Sequence, residues 1–597
     1  MRHWLAALIA VFVSSAAFAA TPEPAPNKAL QALFEREFQL GLVESPESAT
    51  FLGIDGFNDR LSDFSPQATA RRKAHVKTAI DELRKFDAKK LSTQDRISRG
   101  IMLDGLMRKD EENRIYGDLP FGADGNDDWM VASTMDGPQL AFPLIAKVTP
   151  FRGLRDYENY LKRLEALPRA MAQLTARMQE GIRSGWMPPQ KSMERVPGQF
   201  AALAGVEVTK TPFYAPFENF PAGISSVDRE RLAQAARKVL AESVHPAFAA
   251  MQEFLEKRYL PACRNDIAAS DLPSGKAFYA LKVRVNTTTD LTPSQIHDIG
   301  QREVARIRAQ MEKLEASTGF KGTHAEFIQF LKTDPRFYFT RSEDLLTAYR
   351  DIAKRADAEL PRLFAELPRV PYGIRLMEPN EGDNAEHYTR GALDGSRAGY
   401  FEANGNNLKT RPRYEMENTL LHEAVPGHHL QTARAQELKD LPRFRRATWF
   451  VAYGEGWALY AESLGDEMGM YRDPYSKFGQ LSWEMVRACR LVIDTGIHAL
   501  GWTREQGIDC LTGNAGLTRS YAEAEVDRYI VDPGQALGYK IGELKIKELR
   551  AKAQLALGAK FDLRRFHNAI LDDGALPLNI FEARIDEWIA HERAANK

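Results

Sequence analysis

The chain has 597 residues, 44% of them apolar, and a formal charge of −1 from 80 basic and 81 acidic side chains. That length and composition exclude a disordered chain or a coiled coil, and the near-neutral balance gives no nucleic-acid or membrane-surface footprint. Three cysteines, Cys263, Cys489 and Cys510, are too few for a disulfide scaffold; one bridge, Cys489 to Cys510, and a pair of buried free thiols are both open.

The chain begins MRHWLAALIAVFVSSAAFAA, with basic Arg2, an apolar run from Trp4 to Val13 and the small-residue ending Ala17-Phe18-Ala19. This is the layout of a cleavable export signal over residues 1–20, so the product is expected to be periplasmic or secreted. No Cys stands near the cleavage point and no later apolar run reaches the roughly 18 residues of a membrane span, so no membrane anchor is expected.

Leu30, Leu33, Phe34 and Phe38 then recur at helical spacing, as do Leu232, Ala236, Val239 and Leu240. Thr292 to Gln295 reads as a capping box that opens a long amphipathic helix, with His297 on its first turn facing solvent. Strand signals are few: Tyr279, Leu281, Val283 and Val285 alternate, and GYFEAN at 399–404 is short and flanked by turn residues. Turn residues fill 122–129 and 379–388. The expected class is mainly α, with a small β-sheet near residue 400 that is either an edge to hold an extended peptide or a short hairpin covering the core.

TLLHEAVPGHHLQ, from Thr419 to Gln431, places His422, Glu423, His428 and His429 together. Zinc peptidases set two His on one helix face with a Glu beside the first, which deprotonates a zinc-bound water. Here Pro426 stands where the second His would be. Seven residues to His429 return to the same face but rise about 10.5 Å, and six to His428 fall roughly 120° away. Pro426 cannot donate to the His422 carbonyl and Gly427 is permissive, so the helix is expected to open there. His428 is then the favoured second ligand, with His429 the alternative.

A third ligand is expected in TWFVAYGEGWALYAESLGDEMG, where Glu455 stands between two glycines and among Tyr453, Trp457 and Tyr460. Two His and one Glu leave the fourth position of a zinc ion open. Glu462, two turns on, shares the face of Glu455 and can orient a ligand His. Tyr414 to Asn418, YEMEN, resembles a motif that one aminopeptidase family uses to bind a free amine; there it lies on a strand well upstream, and the likeness is read as accidental.

HEAVPGHH followed by GEGWALYAE, with DGSRAGYF before and DTGIHALGW and EVDRYIVDPGQALGYKIG after, resembles the bacterial family catalogued as domain of unknown function eight-eight-five. That family is similar to the helical gluzincin peptidases, namely the thermostable carboxypeptidases, thimet oligopeptidase and angiotensin-converting enzyme. The resemblance implies a two-lobed helical fold with a deep groove: residues 21–390 as an N-terminal helical wall and 391–597 as the metal-binding catalytic region. It also implies one Zn2+ ion held by His422, His428 and Glu455, with Glu423 as general base. Such peptidases draw oxyanion donors from their C-terminal halves, and this chain offers His498 one turn after Asp494, Arg528 as a carboxylate clamp, Tyr529 and Tyr539.

The expected function is an exported zinc metallopeptidase of carboxypeptidase or oligopeptidase type acting on peptides, with no nucleic-acid partner and no oligomeric state specified by the sequence. A periplasmic peptide-binding or structural protein is the alternative, in which a closed site with both His428 and His429 on the metal serves only as a staple. His387, His567 and His591 have no partner pattern and are read as surface residues.

Overall fold

The computed structural model describes residues 23–377 and 385–595, so the export signal and much of the 379–388 turn lie outside the described residues. The chain is mainly helical. In the N-terminal part, α1 (Leu154–Ser184) runs for 31 residues and stops at Gly185, whose φ of 81° only glycine adopts without strain. Its apolar stripe, including Tyr160, Leu164 and Met171, joins Phe248 and Met251 in a core cluster that runs from Leu61 to Tyr259. Each Leu or Phe fully buried in it contributes about 1.5–3 kcal/mol.

Next come α2 (Gly275–Thr287), α3 (Pro293–Ser317) and α4 (Ser342–Leu363). The alternation from Tyr279 to Val285 is therefore helix, not strand. Phe278, Tyr279, Leu281 and Val283 are all buried; a helix enclosed on most sides is apolar nearly all round, and two-residue alternation appears by coincidence. The Thr292–Gln295 capping box opens α3 as expected. His297 is buried rather than solvated, its Nδ1 2.9 Å from Thr495 Oγ1.

Three short strands follow: β1 (Tyr372–Leu376), β2 (His387–Thr389) and β3 (Gly399–Ala403). They form one sheet in the order β1-β3-β2, β1 parallel and β2 antiparallel to β3. The predicted strand near residue 400 is thus present, but as the centre of the sheet; both its edges are paired, and an extended partner could add only at β1 or β2.

The C-terminal part contains α5 (Met416–Glu423), α6 (His428–Glu437), α7 (Val451–Ser463), α8 (Pro474–Ala499), α9 (Arg519–Val531) and α10 (Gly538–Leu557). The largest core cluster, from Ile97 to Ile589, draws on both sides of residue 390. Two packings matter for the site. α3 lies close on α8, where a Cβ on Gly300 would stand 2.8 Å from Leu491 Cβ, and α7 touches α10 backbone to backbone, where a Cβ on Gly456 would stand 2.5 Å from Gly542 Cα. Cys263, Cys489 and Cys510 are free thiols. No helix among the described residues is long and apolar enough to cross a membrane.

Candidate metal centre

The last turn of α5 carries His422 and Glu423, and there the helix ends completely instead of widening. Ala424 (φ −105°, ψ −104°) leaves helical geometry, Val425-Pro426 and Gly427 form the turn, and α6 starts at His428. The turn is held by Trp457 of α7, whose Nε1–H donates to the Pro426 carbonyl at 2.8 Å, and by the His429 N–H donating to the Ala424 carbonyl at 3.0 Å. Gly427 is required sterically: a Cβ there would lie 1.9 Å from the His422 carbonyl oxygen. The chain doubles back tightly enough to bring the His422 and His428 rings to 4.8 Å between centroids at 82°.

Glu455 of α7 completes the set. Its two flanking glycines are each occupied by a neighbour: a Cβ on Gly454 would meet the Trp449 ring at 2.1 Å, and Gly456 abuts α10. Glu455 Oε2 stands 3.5 Å from His422 Nε2 and 3.4 Å from His428 Nε2. Donor atoms about 2.0–2.1 Å from a tetrahedral ion lie about 3.4 Å apart, so both separations from Glu455 suit a zinc site. Both separations exceed a hydrogen bond, and Glu455 Oε2 and His428 Nδ1 are buried without a hydrogen-bond partner among the described residues. A different trio, His422, Glu423 and His428, also converges, within 4.8 Å. Glu455 is the better ligand, because it is close to both rings and has an orphaned oxygen, whereas Glu423 lies 3.9 Å from His422 Nε2.

Supporting groups fix the donors. His422 Nδ1–H donates to Glu462 Oε1 at 2.7 Å, which leaves Nε2 for the centre, and Arg487 of α8 lies 3.3 Å from the same oxygen. Burial alone would lower the His422 pKa, but Glu455, Glu462 and Glu423 together raise it to about 9. Burial likewise opposes ionisation of Glu455, yet His428 and His422 hold it well below the usual carboxylate range.

His429 is not part of the set. Its ring faces away from His422, with Nε2–H donating to the Val370 carbonyl at 3.1 Å and Nδ1 accepting from Tyr388 Oη–H at 3.0 Å. Burial lowers it to about 4, so it stays neutral. His498 is also corrected. It lies in the core, its Nδ1 accepting from the Ala269 N–H and its Nε2–H donating to the Tyr529 carbonyl, both at 2.9 Å. Asp494 does not orient it, since that carboxylate accepts from Tyr279 Oη–H at 2.7 Å and Gly534 N–H at 2.9 Å. His567, read as a surface residue, is fully buried, its two ring nitrogens each 2.8 Å from a partner, the Leu363 carbonyl and Tyr460 Oη. His591 is exposed, and half-buried His387 lies on the groove wall.

His422, Glu423, His428 and Glu455 open onto a groove of about 1130 Å³, whose wall also carries Tyr539 and Arg528. Burial raises the Tyr539 phenol pKa, and the Glu455 charge adds to the rise. Tyr529 sits behind this wall, fully buried, donating to Glu525 Oε2 at 2.6 Å. Sequence reasoning missed Arg490 and Glu386, and set aside Glu415, which all line the groove. Glu415 takes a 3.0 Å hydrogen bond from Trp483 Nε1–H, and burial pushes its carboxyl up to about 7. Its place two turns before His422, on the way into the metal helix, was the available signal.

The chain belongs to the family described as "Bacterial protein of unknown function (DUF885)", whose model matches residues 46–585. Among solved structures it is similar to the "putative lipoprotein" from Colwellia psychrerythraea, with a TM-score of 0.88, 27% identity and coverage of 94% of this chain and 99% of that one. It also shares its fold with a "putative lipoprotein of unknown function" from Shewanella oneidensis, at a TM-score of 0.70, 18% identity and coverage of 93% and 99%. No curated protein matches.

Proposed function

We propose that this protein is an exported zinc-dependent metallopeptidase that hydrolyses small peptides. The observation that carries the proposal is that Glu455 Oε2 stands 3.5 and 3.4 Å from His422 Nε2 and His428 Nε2, the spacing of ligands on a tetrahedral ion, on a groove wall with Glu423 beside them. The engagement of His429 with Val370 and Tyr388 supports an open site over a closed four-ligand staple. Export is supported by the signal-like first 20 residues and by the descriptions of the similar structures as lipoproteins.

His422, His428 and Glu455 would hold a zinc ion, which when bound would supply Lewis acidity toward water and a substrate carbonyl. Glu423 takes the proton from the attacking water on a carboxylate oxygen and passes it to the leaving amine. The Tyr539 phenol donates to the carbonyl oxygen as charge builds there. Glu462 keeps the His422 proton on Nδ1, and Trp457 holds the turn that aims His428. A peptide backbone lies along β2, an edge strand whose His387 and Tyr388 face the groove.

The test is mass spectrometry of a mixed peptide library with and without chelator, alongside zinc measurement on the wild type and Glu423→Gln. The variant is expected to hold zinc normally and to cleave about 10²- to 10⁴-fold more slowly. Equal rates for the two proteins, or cleavage indifferent to chelator, would sink the proposal.

A further inference from the structure

Beside Tyr539 the groove wall carries two guanidinium groups, Arg490 of α8 and Arg528 of α9, with Glu525 between them. Arg528, the clamp expected from sequence, has every nitrogen occupied. Its Nε and Nη2 donate to Glu525 at 3.3 and 3.1 Å, and its Nη1 donates to Gln535 Oε1 at 2.7 Å. Arg490 differs in one atom. Its Nε donates to Tyr529 Oη at 3.1 Å and its Nη2 to Glu525 Oε2 at 2.9 Å, but its Nη1 has no hydrogen-bond partner among the described residues.

Arg490 is only 6% exposed, so water does not readily satisfy that nitrogen. A buried donor left unpaired on a charged group is costly. Glu525 is the one carboxylate bonded to either guanidinium among the described residues, and it serves both. Two positive groups against one negative leave a surplus of one positive charge. The guanidinium lies 4.4 Å from the centroid of the Tyr539 ring, whose phenol in turn feels the charge of Glu455. Arg490 and Tyr539 thus belong to the same groove wall as His422, His428 and Glu455. Of the other cations on the groove wall, Arg411 lies 3.1 Å from Glu386 and Arg487 3.3 Å from Glu462, so each has a carboxylate of its own, although Arg487 Nε is likewise buried without a hydrogen-bond partner among the described residues; Arg390 is half-buried.

We infer that Arg490 anchors the free terminal carboxylate of the peptide substrate, so that the protein removes residues from carboxyl ends. This rests on the metallopeptidase reading and narrows it. Nη1 offers two N–H donors to a carboxylate, and the substrate charge balances the surplus. Arg528 positions Glu525, and Glu525 in turn fixes the Arg490 fork.

The test compares one peptide sequence as free acid, as carboxyl-terminal amide and as amino-acetylated acid. The zinc-loaded wild type is expected to cleave the two acids alike and the amide about 10- to 100-fold less well in kcat/KM. Arg490→Gln should erase that ratio mainly through KM, Arg490→Lys should restore part of it, and Arg390→Gln should leave it unchanged. Unfolding midpoints separate a local loss from misfolding. A second arm reads binding without turnover: calorimetry of the acid and amide peptides on metal-free Glu423→Gln protein. A preference for the acid that disappears with Arg490→Gln upholds the anchor even where chelator-sensitive cleavage fails, an outcome that would count only against the metallopeptidase reading. Equal binding or equal cleavage of acid and amide by the wild type overturns the anchor.

Discussion

Two sets of buried histidines stand in this protein, and they differ in how their nitrogens are spent. His429, His498 and His567 each use both ring nitrogens on carbonyls, an N–H or tyrosine hydroxyls. In the other set, His428 keeps Nδ1 without a hydrogen-bond partner and its Nε2 points at the orphaned oxygen of Glu455. Both sets are buried, so burial does not separate them. What singles out the candidate ion site is thus neither residue type nor depth but the Glu455 oxygen, buried without a hydrogen-bond partner among the described residues and 3.4 Å from His428 Nε2.

The largest effect is expected from Gly427→Ala. A methyl group 1.9 Å from the His422 carbonyl oxygen has no rotamer by which to escape, so a loss on the order of 3–5 kcal/mol and of zinc retention is expected. Denaturant unfolding with zinc analysis checks it, and a stable, zinc-bearing variant would break the account of the turn. Next is the adjacent pair. His428→Ala should release zinc, while His429→Ala should keep it and lose about 1–3 kcal/mol from the unpaired Val370 carbonyl and Tyr388 hydroxyl. Exchange of those two outcomes would reverse the comparison.

His498→Ala should cost a similar amount by stranding the Ala269 N–H and the Tyr529 carbonyl, with zinc content and peptide cleavage per folded molecule unchanged. Cleavage lost from a fully folded variant would return His498 to the site. A further effect, spread over pH, concerns Glu415. Burial raises its carboxyl to about 7, Glu386 adds to the rise and Trp483 opposes it. The folded state thus holds this proton more tightly than the unfolded chain, so the stabilisation is present below the ordinary value of 4.5 and lost as pH rises through about 7. Relative to Glu415→Gln, the wild type should weaken between about pH 5 and pH 8 in chemical denaturation. Parallel curves would show that this carboxyl does not titrate there.

What was legible from sequence follows the range of each contact. Glu462 was readable because it shares a helix face with Glu455; the interruption at Pro426-Gly427 was readable too, but as a widened turn, whereas the helix ends there and a new one starts at His428. His498 was misread because a local cue, Asp494 one turn before it, pointed to a pairing, whereas its true partner Ala269 lies 229 residues away. Arg490 was invisible for the same reason: what distinguishes it from Arg528 is a vacant nitrogen, and that depends on Glu525, Gln535 and Tyr529 arriving from beyond its own helix. The Tyr279–Val285 alternation failed because a helix buried on most sides carries no clean period.

The contact between Gly456 and Gly542 has a consequence for distances across the groove. α7 delivers Glu455 and α10 delivers Tyr539, and where the two helices meet only main chain separates them. The spacing of the two helices that carry this carboxylate and this phenol is therefore set by main-chain atoms, which have no rotamers to relax into. A single added methyl at either glycine would act like a shim, moving the phenol relative to the ligand while leaving every side chain of the site intact.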